Sequence, residues 1–460
     1  MIALVVLVWG IALAHRISLP IMGIVTLLAG TVFGPFFFAI DGPIAISIDR
    51  VLWFAMAGLF VTKWLTGKTC PVRLNRLDWV VVAFAAWLLI SSQMGKTPAS
   101  GTDPTARWLF YVALPVGMYF VPRFSRLSRF ELRCISACFV GLGIYLGITA
   151  FAEKLGFTAM IFPTFIADPS HVEFFGRARG PLLNPAGNGF LLSIAVCSVM
   201  LMFHESSRLG RVCCMLAAAL ALGGVYATLT RSAWIASAAA LAMSQFTHVS
   251  RQLRVWVVAS SILVAIVIAT LFGNQLLNLK RDKHLSATAA SESIELRPML
   301  AAIAFEMFKD RPILGFGYGH YFAYNERYAL AVGYDMPIRK AAVYNQHNVL
   351  LSYLVDTGIL GAGLFLLLIV GWSMRSWQIA RTTSACSEAR RVGLVMMATI
   401  CCFLINGMFQ DVSIIPMVNM YLFYIAGLTI AVHSVDGKLP AQIHHERRVR
   451  ACSQPAFSQR

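Results

Sequence analysis

Apolar residues in this chain run in long blocks rather than alternating. The blocks stand near residues 2–15, 19–40, 50–66, 77–94, 106–122, 132–152, 186–204, 212–229, 232–247, 253–272, 347–373, 391–411 and 414–433. Most are roughly 17 to 25 residues long, the length a helix needs to cross a bilayer, and none carries the period-two signal of a membrane barrel strand. The pattern predicts an all-α, polytopic integral membrane protein with about 12–13 transmembrane helices. The first block is short and ends at His15-Arg16, which leaves the count between the two values.

One long interval breaks the pattern. Residues 273–346 are too polar to be buried in lipid, with ten blocks before them and three after. Within the interval, Pro298 to Lys309 reads as a short helix with Met299, Leu300, Ile303 and Met307 on one face and Glu306 and Lys309 off it, so it is expected to lie on the membrane surface. The chain therefore divides into transmembrane helices over 1–272, which include a second outward loop at 153–185, the long loop 273–346, transmembrane helices over 347–433, and a tail. That tail, 434–460, is basic and proline-containing and is expected to be disordered beside anionic headgroups.

Composition excludes a soluble globular chain. Hydrophobic residues make up 58% and charged residues 13%, where a soluble domain carries about a quarter charged. The net charge of +17 would suit nucleic acid, but the cations are scattered through alternate short connections. These hold Lys63, Lys68, Arg73 and Arg76; Arg123, Arg126, Arg129 and Arg133; Arg208 and Arg211; Arg251 and Arg254; and Arg375, Arg381, Arg390 and Arg391. The positive-inside bias places them and the C-terminus in the cytoplasm and the interval 273–346 outside, with membrane lipids as partners and no nucleic acid. All ten cysteines fall in blocks or cytoplasmic connections, as an oxidising outer compartment favours. No CxxC pair or metal-ligand spacing is present, so neither a metal site nor a cofactor is expected. Met1 to Ala14 lacks the basic start of a signal peptide.

Candidate chemistry lies at the outward ends. Arg177 and Arg179 sit in Gly176-Arg-Ala-Arg-Gly180-Pro181, a turn leading to a helix start whose free amides favour an anion; the competing reading is an interfacial loop with snorkelling arginines. Arg231 interrupts an almost wholly apolar run with room only for a tight turn, and a guanidinium at membrane depth is expensive unless it is used. Arg297 alone reads as a solvated residue before Pro298, and gains weight from the others. Gly315, Gly317 and Gly319 follow no strand and lack the lysine of a phosphate loop, so a turn admitting close backbone approach to a ligand is expected rather than a nucleotide site. His347 opens a membrane helix beside Asn348; a neutral imidazole there accepts a proton from a sugar hydroxyl, and neighbouring cations keep it neutral. Arginines with one base and no paired carboxylates suit a diphosphate leaving group.

These residues resemble a known family. His347-Asn348, then nine residues, then Gly358-Ile359 is similar to the signature of the bacterial O-antigen ligase and polysaccharide polymerase family, as are Asp310-Arg-Pro-Ile-Leu-Gly315-Phe-Gly317, Thr230-Arg231-Ser232-Ala-Trp234 and Arg179-Gly-Pro-Leu-Leu-Asn-Pro185, in family order. The resemblance implies a metal-independent inverting glycosyltransferase, in the bacterial inner membrane, that takes a glycan from undecaprenyl diphosphate at the periplasmic face. It implies His347 as the residue that activates or orients the acceptor hydroxyl, and Arg231 and Arg297 on the donor diphosphate, while Arg177 and Arg179 compete for one further position. Asn348, Gly315, Gly317 and Gly358 support the site. Family members differ in acceptor, which is lipid A core for ligases and a lipid-linked repeat unit for polymerases of O-antigen or exopolysaccharide. The ligase is the reading chosen here, the polymerase its alternative, and a flippase or transporter for the same lipid-linked sugar the rival of a different class.

Overall fold

The computed structural model describes residues 17–37, 39–40, 46–67, 69, 73–95, 103–125, 127–171, 173–245, 287–330, 338–382 and 387–436. The expected blocks at 2–15 and 253–272 and the tail from 437 lie outside the described residues. The chain is an all-α polytopic membrane protein. Five described helices are long and apolar enough to cross a bilayer: Arg129–Leu155, Pro185–Phe203, Arg208–Ala227, Val349–Arg381 and Ser387–Phe409. Shorter apolar helices cover Leu19–Val32 and Pro416–Val432. A two-residue antiparallel ladder pairs Ala39 with Ser47 and Ile40 with Ile46.

Polar caps set the helix boundaries. Asn75 with Asp78 and Ser128 with Glu131 form reciprocal capping boxes at the starts of Arg76–Ser92 and Arg129–Leu155, each satisfying amides that lipid could not. Asn184 caps Pro185–Phe203 and Asn348 caps Val349–Arg381. The block expected over 19–40 stops at Val32, because Gly34 turns into a left-handed conformation at φ +54°.

Side-chain pairs define the two ends of the bundle. At one end Arg133 meets Glu388 at 2.6 Å, Arg391 meets Glu205 at 3.5 Å, and Arg123 meets Asp78 at 3.0 Å in a fully buried pair that Tyr119 joins through its hydroxyl. The other end holds the starts of Pro185–Phe203, Arg231–Gln245 and Val349–Arg381 and the finish of Ser387–Phe409. Glycines let these helices approach closely: a Cβ on Gly189 would stand 2.6 Å from Ala233 Cβ, and one on Gly407 3.0 Å from Val349. Such small-residue contacts are how helices pack where lipid gives no hydrophobic drive.

The polar interval corrects one expectation. Its main helix begins at Ala287, well before Pro298, and continues to Asp310. Met299, Leu300, Ile303 and Met307 do share one face, but that face is buried against Phe316, Tyr321, Ile338 and Val355 rather than offered to lipid.

Candidate active site

Val349–Arg381 reads as one helix but is broken at Gly358, whose φ of 65° and ψ of −168° leave the helical region. The glycine turn fills the break. Phe316 and Gly317 donate their amides to the carbonyls of Val355 and Asp356 at 2.9 and 2.8 Å, and Ile359 donates to Pro312 at 2.8 Å. The helix thus recovers bonds lost at the kink from a segment outside it, as membrane depth requires. A Cβ on Gly358 would lie 2.1 Å from the Ile313 carbonyl oxygen, and one on Gly315 2.6 Å from the Asp356 backbone. The close approach that the turn makes here is to the broken helix, where approach to a ligand was expected. Tyr318 donates its amide to Ser91 Oγ at 3.1 Å, and His320 Nε2 donates to the Ser92 carbonyl at 2.9 Å, which fixes the far side of the turn to helix Arg76–Ser92.

His347 sits just before this helix in a left-handed conformation, φ +50°, uncommon for a residue with a side chain. Asn348 next to it accepts the Leu351 amide at 3.0 Å and donates to the Met408 carbonyl at 3.3 Å, tying the helix start to the end of Ser387–Phe409. At that end Phe409 lies under the Arg297 guanidinium, 5.3 Å from ring centre to Cζ. Burial holds the His347 imidazole below its ordinary pKa, the Arg297 charge lowers it further, and Asp411 acts in the opposite direction. Arg297, His347, Asn348 and Asp411 are thereby brought together.

Arg231 begins helix Arg231–Gln245, half-buried, at the same end of the bundle. Cys402 Sγ donates to the Ala236 carbonyl at 3.5 Å. From that contact Arg231 and Phe409 are five and seven residues away, about 8 and 10 Å along their axes, so the two helix ends reach a similar level.

The other two candidate arginines are engaged elsewhere. Arg179, 1% exposed, gives its guanidinium to the carbonyls of Ile166, Asp168, His171 and Glu173, while Glu153 accepts the amides of Arg179 and Gly180 at 3.1 and 3.0 Å. It organises the loop before helix Pro185–Phe203. Arg177 donates to the Thr228 carbonyl at 3.0 Å and to Thr230 Oγ1 at 2.6 Å, in the turn just before Arg231.

Sequence reasoning missed Asp356, Asp411 and Arg107. Asp356 and Asp411 are each 1% exposed. Arg107 lies 5.3 Å from the Tyr318 ring centre and acts electrostatically on both carboxylates. Among the described residues, no hydrogen-bond partner meets Asp356 Oδ1 or Asp411 Oδ2. For Asp356 the signal was present, a charge inside the apolar block 347–373, as Arg231 was singled out by a charge interrupting an apolar run; Arg107 and Asp411 stand at block edges, where a charge is ordinary.

Residues 216–366 match the family model described as O-antigen ligase, so the chain carries an O-antigen ligase family domain there. None of the curated proteins compared matches the chain. The matched stretch includes Arg231, Arg297, Gly315, Gly317, His347, Asn348 and Gly358, and leaves Arg107, Arg177, Arg179 and Asp411 outside.

Proposed function

We propose that this O-antigen ligase family domain transfers a glycan from undecaprenyl diphosphate to an acceptor hydroxyl at the periplasmic face of the bacterial inner membrane, with lipid A core as the acceptor. The family domain supports a membrane glycan-transfer role. The observation that carries the finer reading is the imidazole of His347 held at φ +50° with the Arg297 charge acting on it, at the bundle end where Arg231 also stands.

In this reading Arg231 and Arg297 hold the donor diphosphate by bidentate contacts, and Asn348, Gly315, Gly317 and Gly358 hold the helix start and break that carry His347. His347 Nδ1 or Nε2 takes the proton of the acceptor hydroxyl as its oxygen attacks the anomeric carbon from the face opposite the diphosphate. The carbon–oxygen bond to the diphosphate breaks with its electron pair leaving on undecaprenyl diphosphate, where the guanidinium groups neutralise the growing charge, and the anomeric centre inverts. Arg73, Arg76, Arg123, Arg208 and Arg391 at the opposite end support reading that side as cytoplasmic through the positive-inside bias.

Purified protein in liposomes, supplied with lipid-linked donor and lipid A core, tests this. Glycosylated core formed without an ion gradient is expected. Intact donor moved across the bilayer with no product would replace transfer by transport, and product only when a lipid-linked repeat unit is the acceptor would make the protein a polymerase.

A further inference from the structure

The turn between Arg208–Ala227 and Arg231–Gln245 has only three residues, and Leu229 within it is left-handed at φ +50°. A leucine in that conformation is strained and persists only where its surroundings over-determine the backbone. Trp234 braces one side: its indole donates to the Val225 carbonyl at 3.1 Å and stacks on Tyr226 at 5.4 Å. The other side comes from a distant segment. Ala178 donates its amide to the Ala227 carbonyl at 3.0 Å, and the Arg177 guanidinium grips Thr228 O and Thr230 Oγ1 together. Thr230 Oγ1 in turn donates to Thr228 O at 3.1 Å, so the guanidinium closes a ring of bonds across the strained residue. The next residue is Arg231.

We infer that Arg177 is a positioning residue that sets the pose of Arg231 by holding the turn before it, and does not itself contact the donor. The inference rests on the reading of Arg231 as a donor-binding residue. To reach a diphosphate, Arg177 would have to surrender its bonds to Thr228 and Thr230 and leave a site in which it is 6% exposed above the Phe174 ring. The segment carrying it is itself fixed: Asn188 Nδ2 donates to the Ala178 carbonyl at 3.0 Å, and Glu153 holds the amides of Arg179 and Gly180. The Nε and Nη2 donors meet the two acceptors side by side at the fixed spacing of a planar guanidinium, a geometry that an ammonium does not hold.

Two measurements decide this. Hydrogen exchange of the full-length protein in detergent reads the brace without reference to activity: Arg177→Met and Thr230→Val should each speed exchange in the peptide spanning 227–234, and unchanged exchange would overturn the inference. A double-mutant cycle reads the consequence. Arg177→Met should lower kcat/KM for the lipid-linked donor by about tenfold in the wild-type background and by less than about twofold beside Arg231→Met, with the acceptor KM unchanged. Equal losses in both backgrounds mean an independent donor contact and overturn it. A wild-type protein inactive in transfer refutes the glycosyltransferase reading instead, and the exchange result still decides whether Arg177 holds the turn.

Discussion

Asp356 Oδ2 accepts the amide of Gly319 at 3.0 Å, joining the first third of a membrane-length helix to a turn 37 positions earlier. With the amides of Phe316 and Gly317 on the adjacent carbonyls, this bond makes the helix break and the glycine turn one unit. Helix Ala287–Asp310, which carries Arg297, runs directly into that turn, and His347 stands eleven residues before the break at Gly358. The geometry between the guanidinium and the imidazole is therefore set by the join.

Gly358→Ala should collapse it. The new Cβ would meet the Ile313 carbonyl oxygen at 2.1 Å, at a φ of 65° that alanine avoids. Strain and clash together should exceed about 3 kcal/mol, on the scale of the largest single-site effects. Thermal unfolding in detergent should fall by several degrees or the protein fail to accumulate; a stable, active Gly358→Ala protein would show that the break is dispensable.

Two of the salt bridges at the opposite end, Arg123–Asp78 and Arg133–Glu388, should behave unequally. Asp78 and Arg123 are 0% and 2% exposed, so Asp78→Ala strands a buried guanidinium and should cost about 3–5 kcal/mol. Arg133 is 66% exposed in its pair with Glu388, and Arg133→Ala should cost at most about 1 kcal/mol. Comparing the two melting temperatures under one condition checks the ranking.

Most of the helices were legible because lipid demands apolar length, which a chain displays openly, and because the caps at Asn75, Ser128 and Asn184 punctuate it. The break was not. Residues 347–373 read as a single apolar block, and Gly358 is one glycine among several; only the distant Ile313 carbonyl reveals why it must be glycine. The start of the helix in the polar interval was misplaced because Pro298 resembles a first-turn proline, whereas the helix runs through it from Ala287. Arg177 and Arg179 could be seen as candidates, but their partners are carbonyls and a hydroxyl scattered over the loop at 166–173 and the turn at 228–230, and sequence does not display such contacts.

Transfer activity should survive EDTA. In the proposed mechanism guanidinium groups supply the charge that a divalent cation would otherwise bring to a departing diphosphate. Loss of turnover in EDTA, restored by Mg²⁺ or Mn²⁺, would count against the arginine account.

Arg231→Lys should lose about 10- to 100-fold in kcat/KM for the donor although charge is kept, because an ammonium cannot present two parallel donors to a phosphate. Arg231→Gln should lose somewhat more. A lysine variant near wild-type activity would reduce Arg231 to a point charge.

His347 gives the sharpest pH test. Its imidazole is held below the ordinary value by burial first and then by Arg297, while Asp411 opposes them. A base must be neutral to accept a proton, so activity should persist through pH 6.5, the usual value for histidine, and fall only at lower pH as the ring protonates. The same shift affects stability: the unfolded chain binds the proton first, so stability is full above the unfolded pKa and declines as pH falls from there toward the folded value. Removing Arg297 by Arg297→Gln should move the protonation midpoint up, and Asp411→Asn should move it down. Peptide-resolved modification of His347 by diethyl pyrocarbonate, which reacts with the neutral ring, reads that midpoint without requiring turnover. His347→Ala should abolish transfer with membrane insertion intact. Midpoints that stay put in both charge variants would separate His347 from Arg297 and Asp411, and the site would lose the electrostatic coupling on which its chemistry depends.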